Sequence, residues 1–244
     1  MLATLLLPLL VIHIASGFIA LSFGLAAMAS RKAGSGFHAR AGDAFCLSMS
    51  AMTVSAAVLT AWEPDRLTLG AAIWTFYLVH SARNAARDRT EALGRASRWL
   101  APLGVSASLL FIHGGLMAQA SLEGEFQGTP AAAYFVFGAA ATLASLSDLS
   151  LLLRDRLGPR QRIARHLWRM VVAYLLAVTS LFLGQQDDVF PFMAGSPILF
   201  LPSLSTLGFL LFWTLRVRLA RDWLGHGRRR PHKNDSTPSQ QEPA

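Results

Sequence analysis

Two histidines in the apolar part of this sequence have the placement of a pair of haem ligands. At a helical rise of about 1.5 Å per residue, His13 and His113 each lie about 4–5 Å from the centre of a long apolar segment. Gly114 and Gly115 follow His113, and small residues leave room for a macrocycle between helices. The sequence therefore predicts haem binding, with His13 and His113 as axial ligands. The alternatives are another functional role or ordinary hydrogen bonding of two buried imidazoles.

A second group of polar side chains falls toward the opposite ends of the segments. His80 and Asp148 lie about 9 Å from their segment centres, and His166 about 13 Å. Such residues can relay protons, bind a headgroup or a quinone, hold a metal, or order helix ends. Arg165 beside His166 would repel a metal ion, so an anionic partner is favoured over a bare cation. The predicted polar cluster comprises His38 and Arg40 from a loop, with Tyr77, His80, Asn84, Asp148, His166 and Arg169 from the segments.

Seven apolar segments must position these side chains. About 20 residues of helix span the hydrocarbon core of a bilayer, and each segment has about 17–28 residues. The predicted fold class is therefore all-α, a polytopic membrane helix bundle with seven transmembrane helices in residues 1–220. The segments are 2–29, 44–62, 67–83, 99–120, 131–153, 166–184 and 197–217.

Positive charge is distributed unevenly between the loops. Of the 22 Lys and Arg residues, all but Arg66 fall in alternate loops, at the helix ends beside them, or in the tail. The positive-inside rule then places the N-terminus outside and the C-terminus in the cytoplasm. The net charge of +8 indicates contact with anionic phospholipids of the lipid bilayer and no nucleic acid, because the charges flank membrane spans. Residues 221–244 are predicted to form a basic, disordered cytoplasmic tail.

Several function classes are disfavoured by what the sequence contains. Cys46 is the only cysteine, which excludes an internal disulfide, a cysteine-based metal site and covalently attached haem. No nucleotide-binding motif supports an ATP-driven pump, and few acidic residues lie in mid-segment, as an ion-coupled carrier would require.

Four stretches of the chain carry a family resemblance. They are His13 with its glycine-spaced first segment, residues 37–42, residues 76–83, and residues 164–170 continuing to 182–191. Together they resemble a family of uncharacterised bacterial multi-pass inner-membrane proteins, a domain of unknown function. The resemblance covers about residues 1–220. It implies a helical bundle in the bacterial inner membrane and assigns no reaction.

Three functions are compatible with these patterns. The preferred interpretation is a haem- or quinone-linked redox membrane protein that uses intramembrane histidines, with a quinone or another membrane protein as partner. The alternatives are a small-solute or proton transporter and a non-catalytic membrane assembly subunit. No motif identifies catalytic residues, so whether the protein is an enzyme stays open.

Overall fold

A computed structural model describes residues 2–30, 36–62, 64–87, 92–152 and 158–219, and this part of the chain is predominantly helical. A π-helical turn, Ser180–Gly184, continues α6, and two 3-10 turns precede α8. The predicted tail, residues 221–244, lies outside the described residues. The elements in chain order are α1 (Leu2–Ala29), α2 (Gly36–Leu59), α3 (Arg66–Arg87), α4 (Ala92–Ala120), β1 (Glu125–Phe126), β2 (Thr129–Pro130), α5 (Ala131–Leu152), α6 (Pro159–Thr179), α7 (Gln186–Val189) and α8 (Leu201–Leu219).

Six helices in the described residues are long and apolar enough to cross a membrane, which confirms the prediction of a multi-pass membrane protein. The spans are Leu6–Ala29, Gly36–Leu59, Arg98–Ala120, Ala131–Leu149, Pro159–Gly184 and Pro197–Leu219. The remaining predicted segment, 67–83, corresponds to α3, which is a helix of 22 residues but is not among the six.

Helix α3 differs from the others because protein surrounds it. It packs against α2, α4 and α6, and Trp74, Tyr77 and Leu78 are almost completely buried along it. Lipid contact is what requires a helix surface to be apolar, so a helix shielded by three neighbours can carry more polar residues. Its N-terminus is capped by Asp65, whose carboxylate accepts hydrogen bonds from the backbone N–H groups of Leu67 and Thr68.

Two helices begin earlier than their apolar segments. α2 begins at Gly36 rather than at 44, and α6 begins at Pro159 rather than at 166. The helices continue past the hydrocarbon thickness, so hydropathy alone marks their ends poorly. His38 and Arg40 consequently lie on the first turns of α2, and their prediction as loop residues was wrong.

Glycines in the bundle accommodate aromatic rings from neighbouring helices. A Cβ at Gly114 would lie 2.4 Å from the ring of Tyr134, and one at Gly115 would lie 2.7 Å from the ring of Phe135. The two glycines after His113 therefore allow α4 and α5 to approach closely. The space predicted there for a macrocycle is filled by side chains of α5.

Candidate functional site

The most buried polar group in the described residues is a carboxylate held by two arginines. Asp148 is fully buried, Arg169 is fully buried, and the Arg165 side chain is 8% exposed. The Nη2 groups of both arginines donate hydrogen bonds to Asp148 Oδ1, and the distance from Arg169 Nη2 is 2.5 Å. The Tyr77 hydroxyl donates to Asp148 Oδ2 at 2.6 Å. We call Tyr77, Asp148, Arg165 and Arg169 the carboxylate cluster.

Arg169 is the best-connected member of this cluster. Its Nη1 donates to Ser81 Oγ at 2.5 Å, and its Nη2 donates to Ser147 Oγ at 2.9 Å and to the Ala144 carbonyl at 3.1 Å. The guanidinium carbon lies 5.0 Å from the centroid of the Tyr77 ring. These contacts stabilise the buried guanidinium, because an unpaired charge inside the protein would cost several kcal/mol of folding free energy, about 3–5 kcal/mol when a partner is removed.

Helical spacing brings the cluster together. Arg165 and Arg169 are four residues apart on α6, and Tyr77 and Ser81 are four residues apart on α3. Residues at this spacing share one face of a helix, so each helix presents two polar groups to the same place. On the neighbouring α4, a Cβ at Gly104 would lie 3.1 Å from Tyr77 Cζ, so a glycine makes room for the ring.

Two histidines form a separate pair at the same end of the bundle. His38 Nδ1 donates to the Ala27 carbonyl at 3.0 Å and lies 3.2 Å from Ser30 Oγ. His166 Nδ1 donates to the Ala82 carbonyl at 3.1 Å. The ring centroids are 6.5 Å apart, the ring planes meet at 79°, and both residues are half-buried. We call His38 and His166 the histidine pair.

The remaining residues of the predicted polar cluster belong to neither group. His80 Nε2 lies 2.9 Å from Ser50 Oγ on α2, and the His80 ring packs 4.2 Å from the ring of Phe76. Asn84 is half-buried one turn further along α3, and Arg40 is exposed. The single cluster predicted from depth is therefore divided, because depth along a helix does not specify which neighbour a side chain faces.

The structure does not bring His13 and His113 together. His13 Nδ1 donates to the Met52 carbonyl at 2.9 Å and lies 3.3 Å from Ser55 Oγ on α2. His113 is exposed on α4, which packs against α3 and α5, whereas α1 packs against α2 and α6. The equal depth of the two histidines stays a prediction, and the order of helices around the bundle separates the two side chains.

An exposed group repeats the composition of the carboxylate cluster. Asp43 on α2 accepts from Arg83 Nη2 at 3.1 Å and from Arg87 Nη2 at 2.5 Å, both on α3. The three side chains are 37–54% exposed. We call Asp43, Arg83 and Arg87 the surface triad.

Arginines of the first turns of α6 tie the helix ends together. Arg162 Nε donates to the Ala85 carbonyl at 3.1 Å, near the end of α3, and Arg160 Nε donates to the Val217 carbonyl at 2.8 Å, near the end of α8. Cations favourably complement the unpaired carbonyls of helix C-termini. Part of the positive charge at this end is thus structural.

Three residues at the carboxylate cluster were not predicted from the sequence: its member Arg165, and Ser81 and Ser147, which accept hydrogen bonds from Arg169. In the sequence Arg165 was considered only as a neighbour of His166. The spacing of Arg165 and Arg169 on one apolar helix was a usable signal, because two buried cations on one face require an anion nearby. Among the residues that the structure describes, no three His, Cys, Asp or Glu side chains are placed to hold a metal ion.

Comparison with protein-family models, curated proteins and solved structures finds no match. The family resemblance carried by the four stretches of sequence stays a prediction.

Proposed function

We propose that the chain crosses the bacterial inner membrane seven times, with the N-terminus outside and the C-terminus in the cytoplasm. At 22 residues and about 1.5 Å each, α3 is about 33 Å long and can span the hydrocarbon core. Its buried Tyr77 and Ser81 have hydrogen-bond partners within the protein. Reporter fusions test the topology. A fusion after Arg221 should be cytoplasmic and one at Gly124 periplasmic, whereas finding both on one side contradicts seven spans.

We further propose that the protein is a redox membrane protein that binds haem through His38 and His166. Two imidazoles that share one metal ion would have ring centroids about 6 Å apart, because each metal–nitrogen bond is about 2 Å long. The centroids of the His38 and His166 rings are 6.5 Å apart, and the ring planes meet at 79°. His38 and His166 would therefore be the residues that hold the haem.

The hydrogen bonds of the pair support the same interpretation. A carbonyl oxygen can only accept, so Nδ1 carries a proton in both rings, and Nε2 is the ring atom through which each histidine would hold a haem. Histidines that bind metals usually donate their other ring N–H to a carbonyl or a carboxylate. The observation that carries the proposal is this shared donation from Nδ1 at a ring separation of 6.5 Å.

The surroundings of the pair also suit a macrocycle better than a bare ion. A haem needs only two protein ligands. Among the described residues, no third His, Cys, Asp or Glu joins His38 and His166 in a metal-binding group. Gly42 lies one turn after His38, and a Cβ there would meet no atom of the described residues within 4 Å, so these residues leave the side of α2 beside His38 open. When bound, haem would supply one-electron transfer, and we propose a lipid-soluble quinone as its partner.

Absorption spectra of protein purified from haem-replete cells test the proposal. We expect a Soret band that shifts on reduction. His38→Ala and His166→Ala should each abolish or greatly weaken this band, because six-coordinate haem needs both imidazoles. His13→Ala and His113→Ala are the matched controls and should keep the band. Colourless wild-type protein, or a band that depends on His113 and not on His166, would contradict the proposal.

A small-solute transporter is the second candidate function. The carboxylate cluster favours it, because ionisable residues inside a membrane domain mark the paths of substrates and ions. The test is uptake of a small solute by proteoliposomes. If the purified protein holds no haem and Asp148→Asn abolishes the uptake, the transporter function is selected.

A further inference from the structure

We infer that the carboxylate cluster is a binding site for a small oxyanion, a carboxylate or a phosphate. The inference is independent of haem binding at the histidine pair. It begins from charge, since two guanidinium groups face the single carboxylate of Asp148. Each arginine stays protonated in proteins, so the cluster holds one more positive charge than negative. A buried charge of this kind is stabilised when a further anion binds.

Unused donors are the second and independent observation. The Nε atoms of Arg165 and Arg169 are buried, and neither has a hydrogen-bond partner in the part of the chain that the structure describes. Buried N–H groups in native proteins are nearly always paired. Each unpartnered Nε therefore indicates an acceptor that arrives with a ligand.

The geometry of the guanidinium group specifies the ligand. Nε and one terminal nitrogen form the edge on which arginine binds carboxylates and phosphates side-on with two parallel hydrogen bonds. In both arginines Nη2 is engaged by Asp148 Oδ1 while Nε is not. Asp148 thus occupies one nitrogen of this edge in each arginine, and an oxygen of the incoming oxyanion would accept from the Nε beside it.

A ligand would reach the cluster from the side of Arg165, its least buried arginine. Arg169 is fully buried, whereas the Arg165 side chain keeps 8% exposure. Arg165 lies near the start of α6, at the basic end of the bundle where the proposed topology places the cytoplasm. The oxyanion would come either from solution or from the phosphate of a membrane lipid, which present the same chemistry to the arginines.

Ligand-dependent thermal stability of the purified full-length protein tests the inference. Inorganic phosphate and succinate are titrated separately at constant ionic strength set with chloride, and phosphatidylglycerol is titrated in mixed micelles. Saturable binding should raise the melting temperature by roughly 5 °C at a large excess of ligand. A shift with phosphate or succinate indicates a soluble ligand, and a shift with phosphatidylglycerol alone indicates a lipid.

Variants separate the site from general charge effects. Arg165→Gln should abolish the shift, and Arg165→Lys, which keeps the charge but loses the planar edge, should weaken it. Arg87→Gln is the matched control at the same end of the bundle and should keep the shift. Asp148→Asn should bind phosphate at least as tightly as the wild type, because a competing carboxylate is gone. No saturable shift with any of the three ligands, or an equal shift in Arg165→Gln, would overturn the inference.

Discussion

The carboxylate cluster and the surface triad are two versions of one arrangement, an aspartate held by two arginines. In the triad, Asp43 and its two arginines on α3 are 37–54% exposed, and water screens their charges. In the carboxylate cluster, Asp148 and Arg169 are fully buried. Exposed pairs contribute about 0–1 kcal/mol to stability, whereas breaking a buried pair costs about 3–5 kcal/mol. Burial rather than composition therefore decides which group governs stability and can select a ligand.

The largest expected difference is between the two aspartates. Asp148→Ala leaves two buried cations without their anion and should lower the free energy of unfolding by about 3 kcal/mol or more. Asp43→Ala should lower it by less than about 1 kcal/mol. Titration with SDS in mixed micelles measures both values. Equal losses would show that the buried carboxylate is hydrated in the membrane.

A double-mutant cycle examines whether charge is the cause. Asp148→Asn keeps the shape but leaves both cations unbalanced, so removing one of them should restore stability. We expect Arg165→Gln to cost about 1–2 kcal/mol less in the Asp148→Asn background than in the wild type. The equivalent cycle of Asp43→Asn with Arg87→Gln should give a coupling below about 0.5 kcal/mol. Additive losses in the buried cycle would mean that packing, not charge, holds the cluster together.

His13 and His113 extend the comparison from ion pairs to single histidines. His13 is half-buried and bonded to α2, so His13→Ala should lower the free energy of unfolding by about 1 kcal/mol. His113 is exposed, and His113→Ala should change it by less than about 0.5 kcal/mol. The same SDS titration measures both variants. A larger loss in His113→Ala would indicate a contact with a second protein at that surface.

Salt should produce the smallest effect. The Debye length is about 3 Å at 1 M salt, so the few tenths of a kcal/mol lost in Asp43→Ala should vanish there. The larger loss in Asp148→Ala should persist, because buried pairs are screened much less. Thermal melting at 0.05 M and 1 M NaCl checks this, and a salt-sensitive Asp148→Ala difference would place water around the cluster.

The sequence was sufficient for the class of fold, because hydropathy and helical periodicity are local properties. It placed Tyr77, Asp148 and Arg169 at one end of the bundle, and the structure joins these three. It failed on neighbours. His13 and His113 have equal predicted depth but lie on helices with different packing partners, and that order depends on long-range packing which no local pattern contains. The missed partner Arg165 had a local signal in its spacing from Arg169.

The helix that hydropathy identifies least clearly, α3, is also the one that positions the carboxylate cluster. α3 carries Tyr77 and Ser81 toward α5 and α6, and its polar residues lower its hydropathy for the same reason that they position the cluster. Helices that are shielded from lipid escape the composition rule that identifies their neighbours.

Electron paramagnetic resonance of the oxidised, purified protein tests the central proposal, haem ligation by His38 and His166, most directly. We expect a low-spin ferric signal in the wild type, because two imidazoles give a strong axial field. His166→Ala should lose this low-spin signal, and any haem that stays bound should be high-spin, whereas His113→Ala should keep the low-spin signal. The absence of any ferric haem signal in wild-type protein, or loss of the low-spin signal in His113→Ala but not in His166→Ala, would contradict the proposal.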